Sequence, residues 1–373
     1  MKILVIASLA ESLVNFRGPL LQALIAAGHE VHGAAPGLVP GTETGEKLKS
    51  MGIGLVDIPL TRAGLNPLAD LRLGLMLWRQ CRQERYDVVL AYTIKPVIWG
   101  MLASRAAGVP RRVALITGLG YAFTGKAAGR RAFVRSISVM LYRSALRQAH
   151  YIFFQNPDDR DHFASLDLLP PDAKISVVNG SGVDLEHFSQ KPLPGGTFRF
   201  LLIARLLGDK GIREYVSAAR SIRQDYDNVV FDLVGGTDPN PDAIPQDEVQ
   251  GWHDSGDIRW LGHLSDVRSA LADCHVYVLP SYREGTPRTV LEAMSTGRAI
   301  ITTDAPGCRE TVVDGVNGFL VPVREVEALA SAMRQFLDCP SLAPGMGTQS
   351  HNIAEEKYDV HKVNADMIAQ FLS

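Results

Sequence analysis

Short apolar runs alternate with helical patterns from one end of the chain to the other. ILVIA (3–7) and DVVLAY (87–92) are almost wholly apolar, and amphipathic segments such as 69–83 lie between such runs. Continuous apolar strands between helices are typical of a parallel sheet covered on both faces. The sequence therefore predicts an α/β fold of doubly wound, Rossmann-like sheets. Its predicted strands are 3–7, 30–35, 54–59, 87–92, 112–117, 151–155, 198–204, 228–235, 257–262, 275–280 and 298–303.

One stretch interrupts this alternation. SQKPLPGGTF (189–198) holds two prolines and two glycines, a composition typical of an inter-domain linker. The chain of 373 residues is long enough for two domains. We predict an N-terminal Rossmann-like domain over 1–188, a linker over 189–197, a C-terminal Rossmann-like domain over 198–353, and a helix over 354–373 that packs back on the first domain. Ligands bind beyond the carboxyl ends of such strands, so two facing sheets would form a cleft.

The charge of the chain is unevenly distributed. The formal net charge is −2, which indicates no nucleic-acid partner. Residues 88–157 contain no Asp or Glu, however, and hold ten of the 38 Lys and Arg residues. The rest of the chain carries the other 28 basic residues and all 40 acidic ones. This separation favours a surface that meets an anion, and an ordinary solvated basic face is the alternative.

Cysteine and histidine positions indicate the compartment and the cofactors. The four cysteines are far apart without a CxxC pair, which is typical of a reducing compartment. The histidines show no metal-ligand spacing beside cysteines or carboxylates, so we expect no metal and no other cofactor. MKILVIASLA resembles a signal peptide, but Glu11 and Arg17 follow it closely, and a first strand fits better. No apolar run is long enough to span a membrane.

EGTPRTVLE (284–292) follows a predicted strand and carries two glutamates eight residues apart. Thr286 suits a helix N-cap and Pro287 the first helical position. The amides of Arg288 and Thr289 would then face the strand's carboxyl end, where an anion is favoured. Carboxylates such as Glu284 and Glu292 can accept hydrogen bonds from the paired hydroxyls of a sugar. The alternative is a surface loop residue and a solvated helix residue.

A second motif lies after another strand of the same predicted sheet. LLIARLLGDKG (201–211) places Arg205 and Lys210 around a short loop that leads into a helix. Two cations at a strand's carboxyl end can hold a diphosphate from two sides. Because both motifs fall at the same edge of one sheet, together they favour a nucleotide-sugar site over chance surface charges.

RLLGDKG followed by EGTPRTVLEAMSTGRAIITTDAPGCRETVVDGVNGFLV resembles the retaining glycosyltransferases of the GT-B fold, family 4. The resemblance covers essentially the whole chain. Further segments are similar to a bacterial branch that adds N-acetylgalactosamine or hexoses to undecaprenyl-diphosphate-linked saccharides in surface-polysaccharide assembly. These segments are LVNFRGPL (13–20), TIKPVIWG (93–100), LITGLGYAFTG (115–125), FFQNPDD (153–159) and NGSGVDLEHF (179–188).

The resemblance implies a role for each motif residue. Arg205 and Lys210 would bind the nucleotide diphosphate. Glu292 would hold the ribose and Glu284 the transferred sugar, so Glu284, Arg205 and Lys210 form the implied catalytic set. The implied donor site is completed by Gly285, Thr286, Arg288 and Thr289, by main-chain groups of His263 and Leu264, and by Arg17 and Gly18 in the first domain. The implied co-substrate is a UDP-sugar.

The sequence departs from the family pattern in the first domain. Where relatives have a Gly-rich turn after strand one, this chain has Asn15-Phe16-Arg17-Gly18. Where many relatives carry a histidine, it has Thr117-Gly118-Leu119-Gly120, so no histidine base is assigned. In the mechanism usually proposed for retaining members, the leaving diphosphate accepts the acceptor's proton. The protein then contributes positioning and charge stabilisation.

The acid-free segment suggests where the acceptor meets the protein. We expect acceptor or membrane contacts at Asn15, Lys95, Gly118, Lys126, Arg130, Arg131 and Arg135. Basic residues next to a bilayer contribute about 1 kcal/mol each at an anionic surface. The expected partners are a polyprenyl-diphosphate-linked glycan and the inner face of the cytoplasmic membrane, with the protein cytoplasmic and peripheral. An ordinary helix packed on its apolar face is the alternative.

Other classes of protein fit the residues less well. An oxidoreductase would need GxGxxG after a strand, and strand one leads into ASLAESLVNFRG. A glycoside hydrolase would need a second acid across the cleft. A GT-B nucleotide-sugar epimerase, a transferase acting on a soluble acceptor and a non-catalytic sugar-binding protein remain as alternatives.

Overall fold

Two parallel sheets organise the chain, one in each of two units. The computed structural model describes residues 1–61, 66–118, 130–238, 240 and 242–372, and the side chains of all of these except 130–135. The first unit comprises residues 1–181 with the chain's last eleven residues, and the second comprises 182–362. The predicted α/β class with two Rossmann-like domains is confirmed.

The first unit contains a seven-stranded sheet in the order β3-β2-β1-β4-β5-β6-β7. Every pairing in it is parallel. Its elements are β1 (Lys2–Ile6), α1 (Ala10–Asn15), α2 (Gly18–Ala26), β2 (Glu30–Ala35), α3 (Glu43–Ser50), β3 (Gly54–Asp57), α4 (Pro67–Glu84), β4 (Val88–Tyr92), α5 (Ile94–Ala107), β5 (Arg111–Ile116), α6 (Arg130–Leu146), β6 (Tyr151–Phe154), α7 (Pro157–Ser165) and β7 (Lys174–Val177).

The second unit contains a six-stranded parallel sheet in the order β10-β9-β8-β11-β12-β13. Its elements are β8 (Phe198–Ile203), α8 (Ile212–Ile222), β9 (Val229–Val234), α9 (Gln246–Asp254), β10 (Arg259–Trp260), α10 (Arg268–Ala272), β11 (Val276–Leu279), α11 (Arg288–Ser295), β12 (Ala299–Thr303), β13 (Gly318–Val321), α12 (Val326–Asp338) and α13 (Leu342–Ile353). The last helix, α14 (Val360–Leu372), begins in this unit and ends in the first.

Each sheet is buried on both faces. In β4 and β12 all five residues are buried, as the continuous apolar runs predicted. Two strands were missed, β7 and β13, and both lie at sheet edges with partly exposed residues. Their shorter apolar content gives no continuous run for the pattern to detect.

The unit boundary differs from the predicted one at 188. Val183 and Phe188 are buried in the core of the second unit, and the Ser295 hydroxyl donates to the main-chain oxygen of Phe188. The Pro/Gly-rich stretch is likewise held there, because the buried Arg298 guanidinium donates to the Pro192 carbonyl. The chain therefore passes between the units at 181–182, before the composition changes.

The C-terminal segment divides between the units. Ala354 and Tyr358 belong to the second core. Met367 and Phe371 are buried in the first core, where the Arg111 guanidinium donates to the main-chain oxygens of Phe371 and Leu372. Within the predicted helical segment, Ala354–Tyr358 form a π-helical turn and the α-helix begins at Val360.

Candidate functional site

The loops after β8 and β11 leave the second sheet at its topological switch point. These strands are neighbours in the sheet, and the chain continues from β8 to β9 and β10 on one side and from β11 to β12 and β13 on the other. A crevice beyond the strands' carboxyl ends at such a point is the usual ligand site of an open α/β sheet. Arg205 follows β8 and Glu284 follows β11, so the two predicted motifs flank the switch point.

Lys210 and Glu284 form an ion pair between these two loops. The Lys210 Nζ lies 2.5 Å from Glu284 Oε1, and the side chains are 14% and 16% exposed. Burial by itself would lower the pKa of Lys210, but the charge of Glu284 and its hydrogen bond outweigh that effect and raise the pKa. The Ser281 hydroxyl donates to the same carboxylate oxygen at 2.8 Å. Lys210 therefore stays protonated and Glu284 is held in one orientation.

Main-chain contacts join the same two loops. The Tyr282 N–H donates to the Asp209 carbonyl at 2.8 Å. Gly211 has φ +70°, and a Cβ built on it would lie 2.1 Å from the Pro280 carbonyl oxygen. The close approach of the loops thus requires glycine at the end of the DKG motif.

A third loop, after β12, supports Glu284 from behind. The Glu284 N–H donates to the Pro306 carbonyl at 2.9 Å. Gly307 has φ +80°, and an added Cβ would lie 2.2 Å from the Glu284 carbonyl oxygen. The position of Glu284 is therefore set by three loops rather than by its own loop alone.

Arg205 is the exposed cation of the site. Its side chain is 56% exposed and donates to Asp238 at 2.8 Å. An ion pair at such an exposed position is worth about 0–1 kcal/mol. An incoming anion can therefore compete with Asp238 for the guanidinium.

Helix α11 begins one residue later than predicted. Pro287 has ψ 107° and occupies the N-cap, so Arg288 rather than Pro287 is the first helical residue. Glu292 still falls in the second turn, where it accepts a hydrogen bond from Arg288 at 2.9 Å. Burial raises the pKa of Glu292, and Arg288 opposes this shift in part.

The Thr289 side chain ties α11 to the end of β8. The buried Tyr277 hydroxyl donates to Thr289 Oγ1 at 2.7 Å, and the Thr289 hydroxyl lies 3.4 Å from the Ile203 carbonyl oxygen. Its hydroxyl is thus engaged within the protein, which leaves the main chain as its contribution to a ligand site.

His263 and Leu264 lie in the loop after β10. The Gly235 N–H, at the end of β9, donates to the Gly262 carbonyl at 2.8 Å. Leu264 packs against the core of the unit. The Leu206 N–H in turn donates to the Gly236 carbonyl at 3.2 Å, so the loops after β8, β9 and β10 are contiguous.

The predicted donor residues of the first unit, Arg17 and Gly18, do not lie at the start of the helix that follows β1. The helix after β1 begins at Ala10, and Arg17 and Gly18 lie at the start of the next helix, α2. The new helix begins there because proline is favoured in a first helical turn and Pro19 follows Gly18. Arg17 is 3% exposed, with its guanidinium 5.3 Å from the centre of the Tyr92 ring.

Glycine is not required at position 18 by its own unit. An added Cβ there would meet its nearest neighbour at 3.7 Å, an ordinary contact. Asn15 is exposed at the end of α1. The Asn15 to Gly18 segment is therefore a helix junction rather than the Gly-rich turn after strand one.

The predicted acceptor residues of the acid-free segment lie in different surroundings. Lys95 forms an ion pair with Asp70 at 2.8 Å, with side chains 14% and 12% exposed, so its charge is balanced within the fold. Gly118 follows β5 with φ +137°. Lys126 lies outside the described residues. Arg130, Arg131 and Arg135 fall on α6, as predicted, and their side chains lie outside the described part.

Several basic residues of the acid-free segment hold the fold together. Arg112 is buried and donates to the carbonyls of Val109 and Gln148, and Arg143 donates to those of Leu166 and Asp167. The ten basic residues of the segment therefore overstate the positive charge that it can present to a partner, because arginines such as Arg112 and Arg143 are used within the fold.

Sequence reasoning missed the residues that position the site. Ser281 and Tyr282 hold the β11 loop, and Tyr282 also donates to Glu214 at 2.6 Å. Desolvation of its carboxyl raises the pKa of Asp209, although the charge of the neighbouring Lys210 opposes the shift. The sequence shows both SYREG and GDKG, but no local pattern indicates that these two loops are in contact.

In the described part of the chain, no three His, Cys, Asp or Glu side chains come together as a metal site would need.

The described architecture is that of GT-B glycosyltransferases. Sucrose-phosphate synthase from Thermosynechococcus elongatus superposes with a TM-score of 0.81 at 17% identity, covering 100% of this chain and 98% of that one. The Anabaena protein HepE, in complex with UDP and glucose, superposes with a TM-score of 0.76 at 20% identity over the whole of both chains.

Two family models match the sequence in tandem. "Glycosyl transferase 4-like domain" matches residues 17–180, and "Glycosyl transferases group 1" matches residues 197–339. The chain belongs to this two-domain glycosyltransferase family, as the motif resemblance implied. It is an enzyme of the hexosyl- or N-acetylhexosaminyltransferase type.

Individual relatives are similar over most of their length. The Campylobacter jejuni N,N'-diacetylbacillosaminyl-diphospho-undecaprenol α-1,3-N-acetylgalactosaminyltransferase is 29% identical over 347 residues, 88% of this chain and 87% of that protein. The Escherichia coli UDP-Gal:α-D-GlcNAc-diphosphoundecaprenol α-1,3-galactosyltransferase is 26% identical over 294 residues, 75% of this chain and 74% of that protein.

Proposed function

We propose that this glycosyltransferase moves a hexose or N-acetylhexosamine from a UDP-sugar to a polyprenyl-diphosphate-linked saccharide, with retention at the anomeric carbon. The two relatives named above act on undecaprenyl-diphosphate-linked sugars and form α-1,3 linkages. One of them is named for a UDP-sugar donor, and HepE was solved with UDP. A UDP-hexose is α-configured, so an α linkage made from it preserves the configuration.

The contact between Lys210 and Glu284 carries this proposal. In a nucleotide-sugar the sugar and the diphosphate share a single bridging oxygen. A cation for the phosphate and a carboxylate for the sugar hydroxyls must therefore lie side by side, and Lys210 Nζ and Glu284 Oε1 are 2.5 Å apart. Arg205 lies on the same loop as Lys210 and can reach the diphosphate from the solvent side.

The remaining donor contacts follow from the neighbouring loops. Glu292, in the second turn of α11, would accept hydrogen bonds from the ribose hydroxyls in its ionised form. The His263–Leu264 loop, beyond β10, would present main-chain groups to the base. The first turn of α11 directs its amides toward an anion at the same edge.

The chemical step that this site supports needs no protein nucleophile. The bond from the anomeric carbon to the diphosphate oxygen breaks, and the acceptor hydroxyl oxygen bonds to that carbon on the same face. Its proton passes to the departing diphosphate. Negative charge grows on the diphosphate during the step, and Lys210 and Arg205 oppose it. Preorganised groups of this kind are each worth roughly 2.7–4 kcal/mol.

The acceptor places the reaction at a membrane. A polyprenyl-diphosphate substrate is anchored in the bilayer, so we propose that the protein works peripherally at the cytoplasmic leaflet. No helix in the described part of the chain is both long and apolar enough to cross a bilayer. Vesicle flotation tests the basic start of α6: binding to anionic lipid that is unchanged in Arg130→Glu/Arg131→Glu/Arg135→Glu would exclude that segment.

A donor and acceptor assay tests the function directly. A panel of UDP-, GDP- and dTDP-sugars is incubated with a synthetic polyprenyl-diphosphate monosaccharide, and the product is identified by mass and by the anomeric coupling constant in NMR. We expect one UDP-hexose or UDP-N-acetylhexosamine to give an α-linked disaccharide. Glu284→Ala and Lys210→Ala should each lower turnover by about 100-fold or more, whereas the matched surface variants Glu327→Ala and Lys362→Ala should leave it unchanged. Full turnover by Glu284→Ala and Lys210→Ala would refute the site.

The alternatives are separated by the same assay. Interconverted nucleotide-sugar isomers without any acceptor would indicate an epimerase. Transfer to a free saccharide as fast as to the lipid-linked one would indicate a soluble acceptor.

A further inference from the structure

Helix α4 presents an uncovered apolar stripe. Leu68 is 80% exposed, Leu71 62%, Leu75 45% and Trp78 37%. Their spacing of three, four and three residues places them on one side of the helix, over about 15 Å at 1.5 Å per residue. We call these four residues the α4 stripe. Single exposed apolar residues are ordinary, but a continuous row of them indicates an interaction surface.

The opposite side of α4 is fixed by packing. Leu73, Leu77 and Cys81 are buried in the core of the first unit. A Cβ built on Gly74 would lie 2.8 Å from the Trp99 ring of α5, so glycine permits the two helices to approach closely. The helix therefore cannot turn its stripe inward without losing this core.

Arginines flank the stripe. Arg72, Arg79 and Arg82 are exposed, and at 100° per residue they fall beside or between the positions of the stripe. Among the described residues, no carboxylate lies within ion-pair distance of any of the three. Their aliphatic stems can lie along apolar surface while the guanidinium groups reach outward.

The acidic residues of α4 do not oppose these arginines. Asp70 is buried and paired with Lys95 at 2.8 Å. Glu84 is paired with Lys2 at 2.5 Å. The exposed side of the helix is thus apolar and cationic.

We propose that this side of α4 docks the protein on an anionic lipid bilayer. Leucine and tryptophan on one side with arginine beside them is the composition of a helix that lies in the membrane interface. A second copy of the chain fits less well, because a symmetric contact would bring two sets of arginines together. The inference rests on the proposed function in one respect, since a lipid-linked acceptor requires the enzyme to reach the membrane.

A cavity opens at the start of the same helix. It has a volume of about 510 Å³ and lies beyond the carboxyl ends of β2 and β3, with a lining that includes Ile58, Leu60, Leu68 and Arg72. Leu68 and Arg72 thus belong both to the cavity lining and to the docking side. A bilayer seated on α4 would place this cavity at the lipid headgroups, where a membrane-anchored substrate is presented.

Vesicle flotation of the full chain tests the docking. Wild type is compared with Leu71→Gln/Leu75→Gln/Trp78→Gln and with Arg72→Gln/Arg79→Gln/Arg82→Gln, on vesicles of phosphatidylethanolamine with phosphatidylglycerol and on phosphatidylcholine alone. We expect the apolar variant to bind the anionic vesicles about tenfold or more weakly. The arginine variant should lose roughly a hundredfold on anionic vesicles and little on neutral ones. Val313→Gln/Val316→Gln, which removes two exposed valines of the second unit, is the matched control and should bind as wild type.

Fluorescence locates the contact without relying on a loss of binding. Lipids brominated on the acyl chains should quench Trp78 in wild type, and the Trp78→Phe variant should lose that component of quenching while still floating. Thermal unfolding of each variant checks that the substitutions leave the fold intact.

The outcomes separate the docking proposal from the proposed function. Equal flotation of wild type and both α4 variants, or an apolar variant that turns a dimer into a monomer, overturns the docking side. Loss of transfer to full-length acceptor in vesicles by the apolar variant, with retained transfer to a short-chain, water-soluble analogue, supports it. Absence of transfer by wild type to either acceptor overturns the proposed function and leaves the flotation result standing.

Discussion

The carboxyl edges of the two sheets differ in chemistry although the sheets share one architecture. In the second unit this edge carries the Lys210–Glu284 pair, the exposed Arg205 and the buried Glu292. In the first unit the corresponding edge carries a cavity with many apolar lining residues and the buried Arg17 beside Tyr92. Among the described residues, the second unit thus offers groups for a charged, hydroxyl-rich ligand, whereas the cavity of the first unit is lined mainly by apolar side chains together with Arg72.

The difference shows what a buried ion pair can and cannot indicate. Lys95–Asp70 in the first unit and Lys210–Glu284 in the second have similar burial and distance. The first links two helices of the fold, α4 and α5. The second joins two strand-end loops at a switch point, with neighbouring cations and carboxylates. Location within the sheet, rather than the pair itself, marks the site.

The largest expected effect is the difference in kcat/KM between the Lys210→Met and Arg17→Met variants. Loss of the Lys210 charge should lower kcat/KM for the donor sugar about 100- to 1000-fold, since one preorganised group is worth roughly 2.7–4 kcal/mol. Arg17→Met should lower it by less than about tenfold, because its guanidinium is stacked on Tyr92 inside the first unit. Steady-state kinetics with unfolding temperatures measure both. Equal losses would mean that the first unit also holds the diphosphate.

Stability should respond alike in the two units while activity does not. Lys95→Met and Lys210→Met should each lower the free energy of unfolding by roughly 3 kcal/mol, because each strands a buried carboxylate. The paired replacements Asp70→Leu/Lys95→Met and Glu284→Leu/Lys210→Met should recover much of that loss. Calorimetry and urea unfolding at neutral pH provide the measurement.

The pH dependence of that stability follows from the pKa of Lys210. Because the Lys210 pKa is raised, the stability that Lys210 contributes is complete below the unfolded lysine pKa of 10.5 and is lost as the pH rises through the folded value.

Transfer activity provides the contrast between the two pairs. If activity survived in Lys210→Met but failed in Lys95→Met, the assignment of the site to the Lys210–Glu284 pair would be reversed.

Donor binding should weaken in acid because of Glu292. Burial raises the pKa of its carboxyl, so the neutral form appears at a higher pH than for an ordinary glutamate. Below that pKa the ionised fraction, and with it the affinity for the ribose, should fall roughly tenfold per pH unit. The same shift favours the native state at low pH, a contribution that is lost as the pH rises through the folded pKa. Measuring the donor KM against pH should give a slope in wild type and a flat, weaker response in Glu292→Gln.

The smallest expected effect concerns Arg205. Its partner Asp238 competes with an incoming diphosphate, and Asp238→Asn removes that competition. Because an exposed pair is worth at most about 1 kcal/mol, donor affinity should improve by no more than about fivefold. Titration calorimetry with UDP resolves such a change. Weaker binding in Asp238→Asn would mean that Asp238 orients Arg205 for the ligand rather than competing for it.

Much of the site was predictable because its motifs are local. A strand, a short loop and a helix start follow one another within a dozen residues, so Arg205, Lys210 and Glu284 could be placed in strand-end loops and Glu292 in the following helix from the sequence. The one-residue error at Thr286 and Pro287 arose because proline suits either the N-cap or the first helical position. The contact of Lys210 with Glu284 could not be predicted, since 74 residues separate them.

The sequence alone determined the α/β class, the two parallel sheets and the strands of their interiors, because continuous apolar runs and helical spacing are properties of neighbouring residues. Only the tertiary structure decided the edge strands β7 and β13, the passage between units at 181–182 and the internal use of Arg111, Arg112 and Arg143. It also decided which side of α4 stays uncovered. Each of these depends on what a segment packs against, and packing partners are distant in the chain.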